Sequence, residues 1–143
     1  MAYEFEQQRR VEFAETDMAG ILHFSNYFRY MEEVEHAFFR SLGLKVHAHS
    51  ESGVWGWARR RVECTFSAPL RYEDVVDLHL VVRGKRAKSI DYEVVFRKGA
   101  TEVARGTMTV VCVAKQPGGD AIRAAAMPAE VDALVEVAPA DRP

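Results

Sequence analysis

The sequence predicts an α+β domain in which one antiparallel sheet covers one long helix. Two observations carry that reading. Between Ser25 and Leu42, the apolar residues Tyr27, Tyr30, Met31, Val34, Phe38 and Leu42 recur at three- and four-residue spacing and so form a single helical stripe. After this segment come four runs rich in Val, Ile, Thr, Tyr, Phe and Trp, separated by short breaks, as expected of consecutive strands. A helix with one apolar stripe needs a surface to lie on, and these strands supply it.

Taken in order, Tyr3 to Phe13 reads as a first strand, and Phe13 to Tyr27 as the connection into the helix. Ser25 or Asn26 can cap the helix start, and Gly43 follows the last apolar residue, where a left-handed residue ends a helix. Glu32, Glu33, Glu35, His36 and Arg40 fall mostly off the stripe, and the glutamates read as a solvated face. Val46 to Gly53 is a polar connection. Strands are expected over Trp55 to Phe66, Asp74 to Gly84, Lys88 to Arg97 and Glu102 to Ala114, with breaks at Ala68 to Glu73, Arg83 to Arg86 and the hairpin signal Lys98-Gly-Ala-Thr101. From Gln116 onward only Pro128 to Leu134 looks able to form a short helix, and the tail beyond it is expected to lack order. The whole chain, residues 1–143, reads as a single domain with its ordered core over about residues 3–134.

Bulk properties narrow the function. Nineteen basic against twenty-one acidic residues give a formal charge of −2, so no overall field draws the protein to nucleic acid or an anionic membrane. Cys64 and Cys112 lie inside apolar strand-like runs and read as free, structural thiols. No leading basic segment precedes an apolar one, and no apolar run is long enough to span a bilayer, so a cytoplasmic protein is expected.

The most informative stretch is Phe13-Ala-Glu-Thr-Asp-Met-Ala-Gly-Ile-Leu-His-Phe-Ser-Asn-Tyr27, which brings a carboxylate, a glycine and a helix start together. In isolation, Asp17 could be only a turn or capping residue. The arrangement of Asp17, Gly20, Asn26 and Tyr27 resembles the signature of the hotdog-fold acyl-CoA thioesterases, in particular the 4-hydroxybenzoyl-CoA thioesterase-like branch. The likeness continues through Phe66-Ser-Ala-Pro-Leu-Arg-Tyr-Glu-Asp74 to Met127-Pro-Ala-Glu130 and covers roughly residues 8 to 134.

The resemblance implies a hotdog fold, with the sheet wrapped round the central helix and extended by a second subunit. It further implies active sites at the subunit interface of a homodimer or of a homotetramer built as a dimer of dimers. By position, Asp17 matches the family's catalytic carboxylate, and Phe24 the residue whose backbone N–H polarises the thioester carbonyl. Many members carry Tyr-His where this chain has His23-Phe24, so the histidine's role is not carried over.

The chemistry suits these residues. Asp17 can attack the carbonyl to give a mixed anhydride, or act as general base on water. Amides of Ile21 to Phe24 approach a helix N-terminus, where unpaired N–H groups and the dipole favour an oxyanion. Gly20 lets the backbone pass close to substrate, with Ile21, His23, Asn26 and Tyr27 as further binding candidates. Lys85, Arg86 and Lys88 are candidates for the phosphates of coenzyme A, whereas Arg59, Arg60 and Arg61 alternate along a strand and cannot serve one site. The scheme needs no cofactor beyond the coenzyme A of the substrate, and no histidine or cysteine spacing resembles a zinc site. The expected substrate is an acyl-CoA or an acyl-carrier-protein thioester. Two rivals are a hotdog hydratase or dehydratase, which generally pairs a histidine with a carboxylate, and a non-catalytic acyl-CoA-binding regulator, for which a DNA-binding helix pair ahead of Tyr3 would be expected.

Overall fold

A computed structural model describes residues 1–50 and 53–142. The elements are β1 (Glu4–Arg10), a single 3-10 turn (Phe13–Glu15), α1 (Phe24–Ser41), β2 (Ala48–Ser50), β3 (Gly53–Phe66), β4 (Val75–Lys85), β5 (Ser89–Lys98), β6 (Thr101–Lys115), β7 (Ile122–Ala124) and α2 (Ala129–Leu134). The strands join one antiparallel sheet in the order β1-β4-β5-β6-β3-β2, and β7 pairs with the end of β6. The α1 helix lies in the concave face against β1, β3 and β4, giving the predicted α+β architecture.

Each element follows from local chemistry. Tyr27, Tyr30, Met31, Val34 and Phe38 of α1 are all buried against Leu78, Leu80, Tyr92, Val94 and their neighbours. The helix ends where Gly43 takes φ +74°, the left-handed conformation expected after Leu42. Its start is capped by His23 rather than by Ser25 or Asn26, since the His23 ring accepts the Ser25 N–H at 3.3 Å and helical geometry already begins at Phe24. The first strand stops at Arg10, short of Phe13. Val11 turns fully into the core, and Glu12 and Glu15 close the 3-10 turn with a reciprocal capping box.

The largest departure on the helix is Glu35, which is 1% exposed instead of solvated. It continues the four-residue row Tyr27, Met31, Glu35, Phe39, so the sheet curls far enough to cover more than the primary stripe. Arg59 of β3 reaches it with two hydrogen bonds, at 2.7 and 3.1 Å, and compensates its charge. Burial still pushes the Glu35 carboxyl above its ordinary value, with Arg59 opposing part of that rise. Arg61 pairs instead with Glu63, and a register shift between Arg59 and Arg61 leaves Arg60 without a cross-strand partner.

β2 and β7, each three residues long, are too short to show an alternating pattern and were not expected. Past α2, where loss of order was expected, the chain runs back along β1 and β4. Val135 is fully buried, Ala138 N–H donates to the Val82 carbonyl at 2.9 Å, and Arg142 pairs with Glu4. On the other flank, β2 covers only Gly53 to Trp55 of β3, so the outer edge from Gly56 to Phe66 has no strand partner among the described residues. Trp57 packs edge-on against Phe39, with ring centroids 5.9 Å apart.

Candidate active site

Two short antiparallel bridges, Thr16 to Leu22 and Ile21 to Arg71, frame the loop between the 3-10 turn and α1. Asp17 sits at its head. The Asp17 N–H donates to the Ile21 carbonyl at 2.9 Å, and the Gly20 N–H returns to the Asp17 carbonyl at 2.9 Å. The return requires Gly20 to adopt φ +80°, so its glycine serves the turn geometry. One carboxylate oxygen of Asp17, Oδ1, accepts the Ala19 N–H at 2.9 Å. The other, Oδ2, has no hydrogen-bond partner among the described residues and is available for chemistry.

The loop is pinned to the body of the protein by Leu22, whose N–H donates to the Leu70 carbonyl at 2.7 Å. Phe24 then opens α1. As the first helical residue its N–H has no acceptor inside the helix, and no turn or loop acceptor takes it among the described residues. An eighteen-residue helix stands behind that N–H with its positive end toward the loop. Asp17, Ile21, Leu22, Phe24 and Tyr27 line one side of a cleft of about 440 Å³, and Phe66, Ser67, Ala68 and Pro69 line the other. Its rim is apolar: Phe24 is 61% exposed and Phe66 46%, and the buried Tyr27 ring meets Phe66 edge-on at 4.8 Å.

The remaining candidates divide into two groups. His23 is occupied as the helix cap, with Nδ1 2.8 Å from Ser25 Oγ. Asn26 donates from Nδ2 to the Glu15 carbonyl at 2.8 Å and so anchors the loop. Lys85, Arg86 and Lys88 lie apart from this cleft, at the opposite end of β4, which at about 3.3 Å per residue is roughly 33 Å long. Lys85 holds the end of α2 through the Asp132 and Val135 carbonyls, at 2.8 and 2.9 Å, and Arg86 donates from Nη2 to both carboxylate oxygens of Asp91. Lys88 is exposed and makes no ion pair among the described residues. Sequence reasoning missed the cleft wall Phe66 to Pro69, although that segment was noted as family-like, and it missed Glu15. Cys64 stands near Tyr27, but burial pushes its thiol up to about 11, so at neutral pH it offers no thiolate nucleophile. Among the described residues no three His, Cys, Asp or Glu side chains converge as a metal site, and no helix is long and apolar enough to cross a membrane.

The sequence model of the Thioesterase-like superfamily matches residues 11–135, which includes the loop, α1 and the whole cleft wall. The chain belongs to this superfamily. A provisionally named esterase of Aquifex aeolicus (strain VF5) is 42% identical over 76 residues, 53% of this chain and 59% of that one. The 4-hydroxybenzoyl-CoA thioesterase of Pseudomonas sp. (strain CBS-3) is 30% identical over 91 residues, 62% of this chain and 64% of that one. The matched region thus spans less than two thirds of either relative. Among solved structures, a gentisyl-coenzyme A thioesterase superposes with a TM-score of 0.76 at 26% identity, covering 90% of this chain and 99% of that one. The thioesterase-like chain has the hotdog architecture of these neighbours, a curled antiparallel sheet around one long helix.

Proposed function

We propose that the protein hydrolyses an acyl-CoA thioester to the free acid and coenzyme A. The observation that carries this is the convergence of an unpartnered Asp17 oxygen and an unpartnered Phe24 N–H on one apolar-rimmed cleft. A thioester carbonyl whose oxygen accepts the Phe24 N–H presents its carbon to the Asp17 side of the cleft. Negative charge then develops at the positive end of α1, where it is stabilised most. Asp17 either attacks that carbon, releasing the coenzyme A thiolate and leaving an anhydride for water to open, or takes a proton from the attacking water. Names of the relatives, 4-hydroxybenzoyl-CoA and gentisyl-coenzyme A thioesterase, support this reaction class.

In this reading the working unit is a homodimer or a dimer of dimers. The open edge of β3 and the exposed Val62, Phe66 and Phe24 occupy the same flank as the cleft, and a second copy that adds its strand there covers both. Such a partner also brings basic residues to the cleft from outside the protomer. Of the three candidates, Lys88 best suits the phosphates of coenzyme A, because Lys85 and Arg86 already serve internal contacts. No cofactor or metal enters the scheme.

The test is thiol release from a panel of benzoyl, other aromatic and straight-chain acyl-CoA thioesters, with the parent and Asp17→Asn side by side. Hydrolysis of some member by the parent, slowed at least about a hundredfold in the variant, is the expected result. An active parent with an unimpaired variant removes Asp17 from the mechanism, and a folded parent inert to the whole panel removes the thioesterase reading.

A further inference from the structure

Glu15 makes a set of contacts that the reaction scheme does not use. Its carboxylate accepts Arg9 Nη2 at 2.5 Å and Arg9 Nη1 at 3.2 Å, the Tyr30 hydroxyl at 2.6 Å and the Glu12 N–H at 2.9 Å. Arg9, from β1, is held in turn by Glu33 at 2.8 Å and lies over the Tyr30 ring, 4.5 Å from its centroid. The side chain of Glu15 is 16% exposed and that of Arg9 18%, so this is a part-buried network in which Arg9 and Glu15 compensate each other's charge. The backbone of the same residue faces the other way. Its carbonyl accepts the His23 N–H at 3.0 Å and Asn26 Nδ2 at 2.8 Å. The bond from residue 23 to residue 15 closes the loop that contains Asp17, and it is made by the residue immediately before Phe24.

We propose that Glu15 is the positioning residue of this site: clamped by Arg9 and Tyr30, it holds the Asp17 loop and the start of α1 in the arrangement where Asp17 and the Phe24 N–H face one cleft. It touches no substrate. Its side chain fixes the residue to β1 and to the buried middle turn of α1, and its carbonyl passes that fixed position to both ends of the loop. Near neutral pH the network stays in one protonation state. Burial pushes the Glu15 carboxyl up, but the Tyr30, Glu12 and Arg9 contacts together outweigh it and hold it below the ordinary value, while burial and the Glu15 charge keep Tyr30 protonated as the donor.

The catalytic part of this inference rests on the Asp17 reading, so the test separates the two. Glu15→Ala and Glu15→Gln are compared with the parent by amide hydrogen exchange and by thioester hydrolysis, each also in the Asp17→Asn background. In Glu15→Ala, the amides of Asp17, Gly20 and His23 should lose protection while those of Val34 and Phe38 keep it. kcat should fall about ten- to a hundredfold, the size of effect a misplaced group produces, with KM held within about twofold. Glu15→Gln, which keeps the acceptor oxygen for Tyr30, should recover part of the loss, and either change should slow Asp17→Asn less than it slows the parent, because only the Phe24 part of the site is left to misplace. A loop that stays protected in Glu15→Ala overturns the positioning role, and so does an equal loss of rate in the parent and Asp17→Asn backgrounds. If Asp17→Asn alone is unimpaired, the Asp17 reading fails and the exchange measurement still decides whether Glu15 holds the loop. If Glu15→Ala does not fold, Glu15→Gln and Asn26→Ala carry the same comparison.

Discussion

Phe24→Pro removes the proposed oxyanion donor together with the phenyl ring, and breaks no hydrogen bond. Proline is well tolerated at the first helical position, because the N–H it lacks has no helical acceptor there and its fixed φ suits the helix. Proline also forces the preceding residue into extended backbone, and His23 already lies at φ −63° and ψ 137°. The cost to stability should therefore be within about 1 kcal/mol, since no hydrogen bond is lost and no neighbour must rotate. The cost to catalysis should be much larger. Removing one oxyanion donor typically lowers kcat by about 10²–10³-fold, or about 2.7–4 kcal/mol of transition-state stabilisation. The phenyl ring is 61% exposed at the cleft rim, so its loss needs a control, and Phe24→Ala supplies one. The assay is kcat and KM for a thioester that the parent hydrolyses, with thermal melts of all three proteins. Phe24→Pro should fall at least about a hundredfold below Phe24→Ala at similar melting temperature. Equal activity of the two folded variants would show that the Phe24 N–H does not polarise the carbonyl.

Three further outcomes test the interior. Arg59→Ala leaves Glu35 buried without its bidentate partner and should cost about 3 kcal/mol by denaturant unfolding at neutral pH, the size of effect expected for a broken buried pair. That cost should shrink toward pH 5 as Glu35, whose proton is already held more tightly than usual, becomes neutral; a cost independent of pH refutes the account. Glu15 has the opposite sign. Its lowered value means that its stabilisation is present above about pH 4.5 and is lost as pH falls through the lower folded value, so the gap in melting temperature between parent and Glu15→Gln should narrow from pH 6 to pH 3.5. Gly106→Ala should destabilise by about 1–3 kcal/mol in chemical denaturation, since its new methyl would stand 2.6 Å from Met31 Sδ and 3.1 Å from the Glu63 carbonyl; an unchanged midpoint would show that Met31 moves aside freely.

The parts of the site legible in the sequence were those that announce themselves locally. The three- and four-residue spacing of Tyr27, Tyr30, Met31, Val34 and Phe38 located α1 within a residue at each end, and Asp17 and Gly20 stood in the loop before it because a strand pattern ends and a helix pattern begins there. What stayed hidden was set by contacts distant in sequence. Glu35 looks like one more surface glutamate until Arg59, twenty-four residues away, arrives on β3. The +4 row from Met31 to Phe39 was the available signal, and it was outweighed by the charged neighbours Glu32 and Glu33. Glu15 was missed for a related reason, because its partners Arg9 and Tyr30 come from two different elements and only the fold brings them together. Lys85 and Arg86 show the converse, a basic cluster with a ready chemical explanation whose charges the fold spends on α2 and Asp91.

The open flank of β3 decides whether the cleft is complete in one chain. Val62 and Phe66 lie four residues apart on the strand and so point to the same face, and both are more than two fifths exposed although a folded monomer gains by covering such residues. Phe66 lines the cleft, so any change there mixes binding with assembly; Val62 does not line it and separates the two. Val62→Lys puts a charge where the protomer alone tolerates it, since the position is 41% exposed. Against a second copy it forces an unpaired ammonium into contact with apolar surface. A penalty of about 3 kcal/mol, a modest part of the desolvation cost of a buried charge, weakens association by about two orders of magnitude. Sedimentation should then show the parent as a dimer or larger and the variant dissociating at micromolar concentration, with its specific activity falling on dilution and returning as protein is added. A monomeric parent that keeps full specific activity at nanomolar concentration would mean that one chain holds the whole site, and that the exposed strand edge serves something other than catalysis.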